Sequence, residues 1–345
     1  MTGNAFLTGL ILSITTMAGI FLNIPFGIIE DRMNMKRVLQ VALLFYSGLA
    51  FLYPQANGFL PLLVLSIGRG LASSFLWLTS WAYIFTYADK EVKGKETGFF
   101  SDMNDLASAL SPILGGFVSI LSFFLPFYVL SLTSFIAFAV VSILLKETPK
   151  PQKTQLKLQI AKLSGYMHDR RFVKTVLLII VFYALINIYY SFFSVFLNDE
   201  GISIPLIGVI LTVALLPAVS LEVPMGHLMD SHGIRKTMSI AVVLTTLTAL
   251  MIPLSSNFYY MIIVVTAFTV NYTMIFIALY SRMSDIMRQD KVVMTGAIAT
   301  FKDLGYTIGP LLAGTLIGVI SIRNTFFLVG GAFILLLPVA LLLHD

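Results

Sequence analysis

Eleven stretches of this 345-residue chain are apolar over the length a helix needs to cross a bilayer, and nothing else in it narrows the fold so far. A hydrocarbon core of about 30 Å takes about 20 helical residues at 1.5 Å each. The stretches lie near residues 5–29, 37–55, 59–86, 98–121, 123–145, 174–198, 203–228, 237–254, 258–281, 293–319 and 325–343. Strands of a membrane barrel would show segments of about ten residues that alternate apolar and polar. These runs are twice as long and do not alternate, so the expected fold class is an all-α membrane protein. Composition agrees: 58% of residues are apolar and 11% charged, against about 25% charged in ordinary soluble domains. Cysteine is absent, which excludes disulfides, thiolate metal sites and cysteine nucleophiles.

The net charge of +5 follows from topology rather than from a nucleic-acid partner. Of the 22 Lys and Arg, 19 fall in alternate connections: 32–37, 90–95, 146–174, 235–236 and 282–291. By the positive-inside rule those connections face the cytoplasm. The loops at Asp31, Lys90, Lys153, Asp230 and Arg288 are therefore expected inside a plasma membrane. The first stretch has no basic flank before it and no small-residue cleavage pattern after it, so it does not read as a signal peptide.

The chain repeats itself. Residues 9–39 align without gaps to 208–238, placing Gly9, Pro25, Gly27 and Asp31 on Gly208, Pro224, Gly226 and Asp230. The basic pair Lys36 and Arg37 falls on Arg235 and Lys236. A second block, from Gly98, matches one from Gly296 and sets Asp105, Pro112 and Gly116 on Asp303, Pro310 and Gly314. Equivalent blocks keep the same side of the membrane, which describes parallel repeats related by an axis along the membrane normal. An apolar span, 175–197, precedes Gly208, but only eight residues precede Gly9. The expected organisation is an N-terminal bundle over 1–145 with five helices and its first helix missing. A cytoplasmic linker follows over 146–173, with an amphipathic piece near 156–163, and then a C-terminal bundle of six helices over 174–345. Restoring the missing helix gives a symmetric six plus six and a cytoplasmic N-terminus.

The stretch Gly27-Ile-Ile-Glu-Asp31-Arg32-Met-Asn34-Met-Lys36-Arg37, repeated from Gly226 through Asp230 to Arg235 and Lys236, resembles the loop signature of the major facilitator superfamily. Two copies in register with a whole-chain repeat carry the resemblance, and it implies a secondary transporter working by alternating access. Residues 302–310, Lys-Asp-Leu-Gly-Tyr-Thr-Ile-Gly-Pro, resemble the eleventh helix of its drug/proton antiporters. In such a loop the small residue, Gly27 or Gly226, lets another helix approach. Asp31 or Asp230 can accept bonds from a helix N-terminus of the other half, closing the inner face. The plainer alternative is that these acids cap their own turn. Asn34 stands where the signature has glycine and is expected to tolerate its positive φ. Ser231 replaces the signature's arginine in the second copy.

Charges within the spans are the other candidates, since each costs about 2.5–3.5 kcal/mol at mid-membrane. Arg69 lies near the middle of its span, with Ser73 and Trp77 following on one helical face, and is open to either a substrate anion or an internal acid. The resemblance assigns this span, and those carrying Tyr183, Asn187, Tyr190, Asn271 and Tyr272, to a central substrate cavity. Their aromatic and amide character suits an amphiphilic or aromatic small molecule. Asp105, Glu222 and Asp303 are coupling or interface acids: proton carriers on one reading, partners of the loop signature or of Lys302 on the other.

Enzyme signatures are absent: there is no zinc-binding His-Glu helix and no phosphate-cradling Gly-rich loop. No metal and no cofactor are expected. The partners are a small-molecule substrate, protons and the lipid bilayer, with no nucleic acid, and the chain is expected to act as a monomer. Proton-coupled efflux of drugs or metabolites is the function expected. Proton-driven nutrient uptake and a non-transporting protein of the same fold are the alternatives.

Overall fold

The computed structural model describes residues 4–23, 34–87, 93–147, 156–288 and 290–341, which are helices joined by short turns and contain no strand. The helices are α1 (Ala5–Asn23), α2 (Met35–Leu52), α3 (Phe59–Tyr87), α4 (Lys93–Val118) and α5 (Leu125–Leu144). After the linker helix α6 (Leu156–Tyr166) come α7 (Arg170–Asp199), α8 (Ile204–His232) and α9 (Ile234–Met251). The chain ends with α10 (Phe258–Ile286), α11 (Lys291–Ile320), α12 (Ile322–Ala332) and α13 (Leu336–Leu341). Among the described residues, every apolar stretch of the sequence lies in helix. Eight of the described ones are long and apolar enough to cross a membrane. Of the others, α4 carries Lys93, Lys95, Glu96, Asp102 and Asp105 in its first half, α1 is described only as far as Asn23, and α12 is separated from α13 by a short 3-10 turn.

The repeat read from sequence is also a repeat in space. At one constant offset, α8 begins as α1 does, α9 as α2 and α10 as α3. Packing repeats as well: α1 lies on α3 as α8 lies on α10, α2 on α3 as α9 on α10, and α2 on α5 as α9 on α12. These are two pseudo-symmetric bundles. Across them α1 packs on α11 and α8 on α4, which is one contact made twice with the halves exchanged.

The symmetry fails at one helix. In the second half α7 packs on α11 and is the most buried span. Its Phe172, Ile179, Phe182, Tyr189 and Phe196 anchor the core, and Tyr189 donates its hydroxyl to the carbonyls of Phe326 (2.9 Å) and Ala249 (3.3 Å). Among the described residues no helix of the first half stands on α4 in that way. Ala107 and Ser111, the mates of the buried Gly305 and Gly309, are exposed.

Asn34 departs from expectation. It has φ −70° and caps α2, its side-chain oxygen accepting the Lys36 amide at 2.9 Å. Its mate Gly233 has φ +84°, a region that glycine enters without steric cost. Side-chain capping favours extended backbone at the cap position, so the asparagine replaces the glycine turn instead of imitating it.

Candidate substrate-translocation site

The halves meet most closely through glycine and proline. A Cβ on Gly208 would overlap the Pro112 carbonyl, and one on Gly9 the Pro310 carbonyl. The mates Gly116 and Gly314 face the backbone of Ile204–Pro205 and of Ala5–Phe6. Proline within a helix removes an amide donor and displaces the turn before it. At Pro112 the next amide, Ile113 N–H, is taken by Thr212 Oγ1 of α8 at 3.1 Å. Ser13 is the mate of Thr212; it is buried against α11, and its Oγ has no partner among the described residues. A hydroxyl pair, Thr16 and Thr307 at 3.1 Å, joins α1 to α11 one step further along. These contacts gather near the starts of α1 and α8 and the ends of α4 and α11, the ends that the charge pattern places outside.

At the opposite ends the described residues of the second signature loop make no such contact. Gly27, Asp31 and Arg32 lie outside the described residues. A Cβ on Gly226 would meet nothing within 4 Å. Asp230, Arg235 and Lys236 are exposed, and among the described residues no ion pair holds them. Lys36 is half-buried and Arg37 exposed beside the Asn34 cap.

The predicted cavity residues of the second half come together as a linked set of rings. Tyr190 and Tyr272 share a hydrogen bond between α7 and α10. Tyr183 meets the Tyr306 ring edge-on at 5.1 Å and shares a hydrogen bond with Tyr280. Lys302 lies over the Tyr306 ring at 5.9 Å. Beside Tyr190 and Tyr272 is a cavity of about 30 Å³, lined also by Leu211, Phe268 and Thr269, room for about one water. Asn187 faces α11, donating its amide to the Tyr306 carbonyl at 2.7 Å. Asn271 is half-buried on α10.

The first half is less closed. Trp77 is exposed and meets Trp81 edge-on at 5.8 Å, while Trp81 meets Phe100 of α4. Ser73 turns its hydroxyl back to the Gly70 carbonyl. Arg69 occupies the position in α3 that Phe268 holds in α10, and Phe268 packs against Tyr189 and Tyr272. The Arg69 guanidinium lies 5.8 Å from the Tyr53 ring centre, and its buried Nε has no partner among the described residues. Half-buried Glu222 on α8 lies within electrostatic range of Asp105 and Asp102 on α4. Asp303 sits on α11, its carbonyl accepting from Thr307 at 2.8 Å. Among the described residues no group of three His, Asp or Glu is placed to hold a metal.

A profile described as the Major Facilitator Superfamily matches residues 2–203 and again 175–345. The chain belongs to this superfamily. It is a multi-pass membrane transporter for small molecules, not an enzyme. It is 24% identical over 305 residues to the quinolone resistance protein NorA of Staphylococcus aureus (strain MSSA476), covering 86% of this chain and 77% of that one. With the multidrug resistance protein 2 of Bacillus subtilis (strain 168) it shares 21% over 309 residues, covering 87% and 77%. In fold it is similar to the nucleoside transporter NupG, with a TM-score of 0.81 at 13% identity over 99% of this chain and 91% of the other. It also resembles a bacterial homolog of the human lysosomal transporter Spinster in an inward-facing, unoccupied conformation, with a TM-score of 0.76 at 14% identity, covering 98% and 88%.

Tyr280 and Tyr306 join the ring cluster around Tyr183 although the sequence pattern did not single them out. A signal for both was present: Tyr272, Phe276 and Tyr280 share one helical face at four-residue spacing, as do Lys302 and Tyr306. Their contact with Tyr183 is tertiary and has no trace in the sequence.

Proposed function

We propose that this transporter exports amphiphilic aromatic molecules in exchange for protons, two bundles over 1–145 and 174–345 rocking about a midplane site and joined by a linker over 146–173. The linked tyrosines of α7, α10 and α11 carry this reading. They offer ring edges, ring faces and hydroxyl groups beside a single cation, which suits a flat, partly polar solute better than a sugar or an ion. The two relatives, a quinolone resistance protein and a multidrug resistance protein, support the same class. Ser73, Trp77 and Asn271 complete the lining, and Arg69 meets either an anionic group of the solute or an acid within the bundle. Glu222, facing two carboxylates across α4 and α8, is the first choice for the proton site, and Asp303 and Asp105 are its partners in the interface.

The loops at Asp31, Lys90, Lys153, Asp230 and Arg288 lie in the cytoplasm of a plasma-membrane monomer. Gly27, Asp31, Arg32, Lys36 and Arg37, with Gly226, Asp230, Arg235 and Lys236, close the inner face in the alternate state. Exposure of Asp230, Arg235 and Lys236 fits a state in which the outer ends are joined and the inner ones apart. The test is transport of ethidium in everted vesicles. An imposed inside-acid gradient drives dye inward in proportion to protein, and Tyr272→Ala abolishes most of that flux. Dye movement indifferent to the gradient refutes proton exchange, and gradient-driven movement the other way identifies uptake by symport.

A further inference from the structure

Pro310 leaves α11 with a carbonyl to satisfy. A proline has no amide to give the carbonyl four residues earlier, and its ring crowds that oxygen. Here the carbonyl belongs to Tyr306, and Asn187 of α7 supplies the missing donor, Nδ2 to O, at 2.7 Å. The first half meets the same need differently. Pro112 frees the Ser108 carbonyl, and Ser111 of the same helix donates its hydroxyl to it at 3.1 Å. In α11 the mate of Ser111 is Gly309, which has no side chain to donate. That glycine serves another purpose: a Cβ there would stand 2.6 Å from the Ala184 carbonyl and 3.2 Å from Asn187 Cβ. One turn earlier, a Cβ on Gly305 would stand 2.6 Å from the Ile180 carbonyl. The residue that lets α7 come close thus forfeits the local donor, and the closeness brings Asn187 within reach of the orphan oxygen.

We propose that Asn187 is a positioning residue, a clasp that fixes α11 to α7 across the proline break while the other face of α11 works against α1, and that it takes no part in holding substrate. The clasp keeps Tyr306 presented toward Tyr183 of α7. It carries the second bundle's motion into the segment that meets Thr16 and Gly9 of the first.

The inference goes beyond the export reading, because a melting temperature reads it with no substrate present. The experiment is a double-mutant cycle of Asn187→Ala and Pro310→Ala on the full chain in nanodiscs, followed by thermal melting and by ethidium transport. Asn187→Ala lowers the melting temperature by several degrees and the maximal rate about tenfold, the scale of one lost buried hydrogen bond, with KM unchanged. With Pro310→Ala the helix regains its own amide donor for the Tyr306 carbonyl, so adding Asn187→Ala costs nothing further in either measurement. A rise in KM of equal size in both backgrounds overturns the proposal, as does a melting loss that Pro310→Ala leaves intact. Should Pro310→Ala fail to fold, ethidium binding to Asn187→Asp decides: unchanged affinity with lowered melting supports the clasp, and weakened affinity at unchanged melting refutes it.

Discussion

Replacing Gly314 by alanine tests whether the outer seam closes the state described here. The new Cβ would stand 2.5 Å from the Ala5 carbonyl oxygen and 3.0 Å from Phe6 Cα. Both are backbone atoms, so no side chain can turn away. Reaching an ordinary contact of 3.4 Å requires α1 and α11 to part by about 0.9 Å at this level. Overpacking of this kind costs about 1–3 kcal/mol. Because the cost falls only where the helices touch, it acts on the sealed state and spares a state in which the outer ends have separated. At 1.4 kcal/mol per tenfold, the open population rises about 5- to 150-fold. The chain has no cysteine, so a single Ser13→Cys reports without background. Ser13 is 3% exposed in the seam, and a membrane-impermeant maleimide added outside labels it at a rate set by the opening. Gly318→Ala is the control, one turn further along the same helix with nothing within 4 Å of its Cβ. If Gly314→Ala labels no faster than the parent, or if Gly318→Ala labels equally fast, the seam is not what closes the outer face.

Thr212→Val strands the Ile113 amide in the α4–α8 seam and is expected to cost about 1–3 kcal/mol in thermal or denaturant unfolding, whereas Thr212→Ser, which keeps the acceptor, stays near the parent. Tyr189→Phe removes the hydroxyl shared by the Phe326 and Ala249 carbonyls at unchanged shape, for about 1 kcal/mol in the same assay. The linker helix α6 is tied to the start of α11 by Asp290, which accepts from Lys162 Nζ at 2.6 Å and from the Tyr166 hydroxyl at 3.0 Å. The Lys162 bond first, then that of Tyr166, holds the Asp290 carboxyl below the usual range. The tie is therefore complete above the ordinary carboxylate value of about 3.9 and fails only as pH falls through the lower folded one. Spin-label distances between α6 and α11 should be constant from about pH 5 to 8, and Asp290→Asn should broaden them at every pH.

What the sequence made legible was what periodicity and duplication encode. Apolar run length placed the spans, and the gapless match of Gly9 to Gly208 already implied that the two seams would be mates. Register within a span was less visible. Arg69, Ser73 and Trp77 share a stripe by spacing, yet only the structure shows that the arginine lies beside the Tyr53 ring with its Nε buried. Asn187 was expected in the cavity lining because the resemblance places its span there. Its partner is a carbonyl freed by a proline 123 positions later, and no local pattern joins the two. Asn34 misled for the opposite reason: its tolerance of positive φ is real, but its capacity to cap a helix was the stronger preference.

The glycines of α11 explain why one helix can serve both bundles. At 3.6 residues per turn, Gly305 and Gly314 lie about 180° apart around the axis, so the helix has two faces stripped to backbone. Toward α7 that face carries Gly305, Gly309 and the Asn187 bond to a main-chain oxygen. Toward α1 it carries Gly314, the Pro310 carbonyl against Gly9, and a threonine hydroxyl pair. A hydroxyl pair can re-form with new partners after a shift along the helix, because each side chain also has a carbonyl of its own turn to bond, as Thr16 does with Ser13 and Thr307 with Asp303. The Tyr306 carbonyl has no such alternative within its helix, because Gly309 stands where the first half has the donor Ser111. Of the two faces, the one toward α1 can therefore slide without leaving polar groups unpaired, and the one toward α7 cannot. Alternating access in this chain should accordingly carry α7 and α11 together as one body and place the moving surface between α11 and α1, with the α4–α8 seam as its symmetric counterpart.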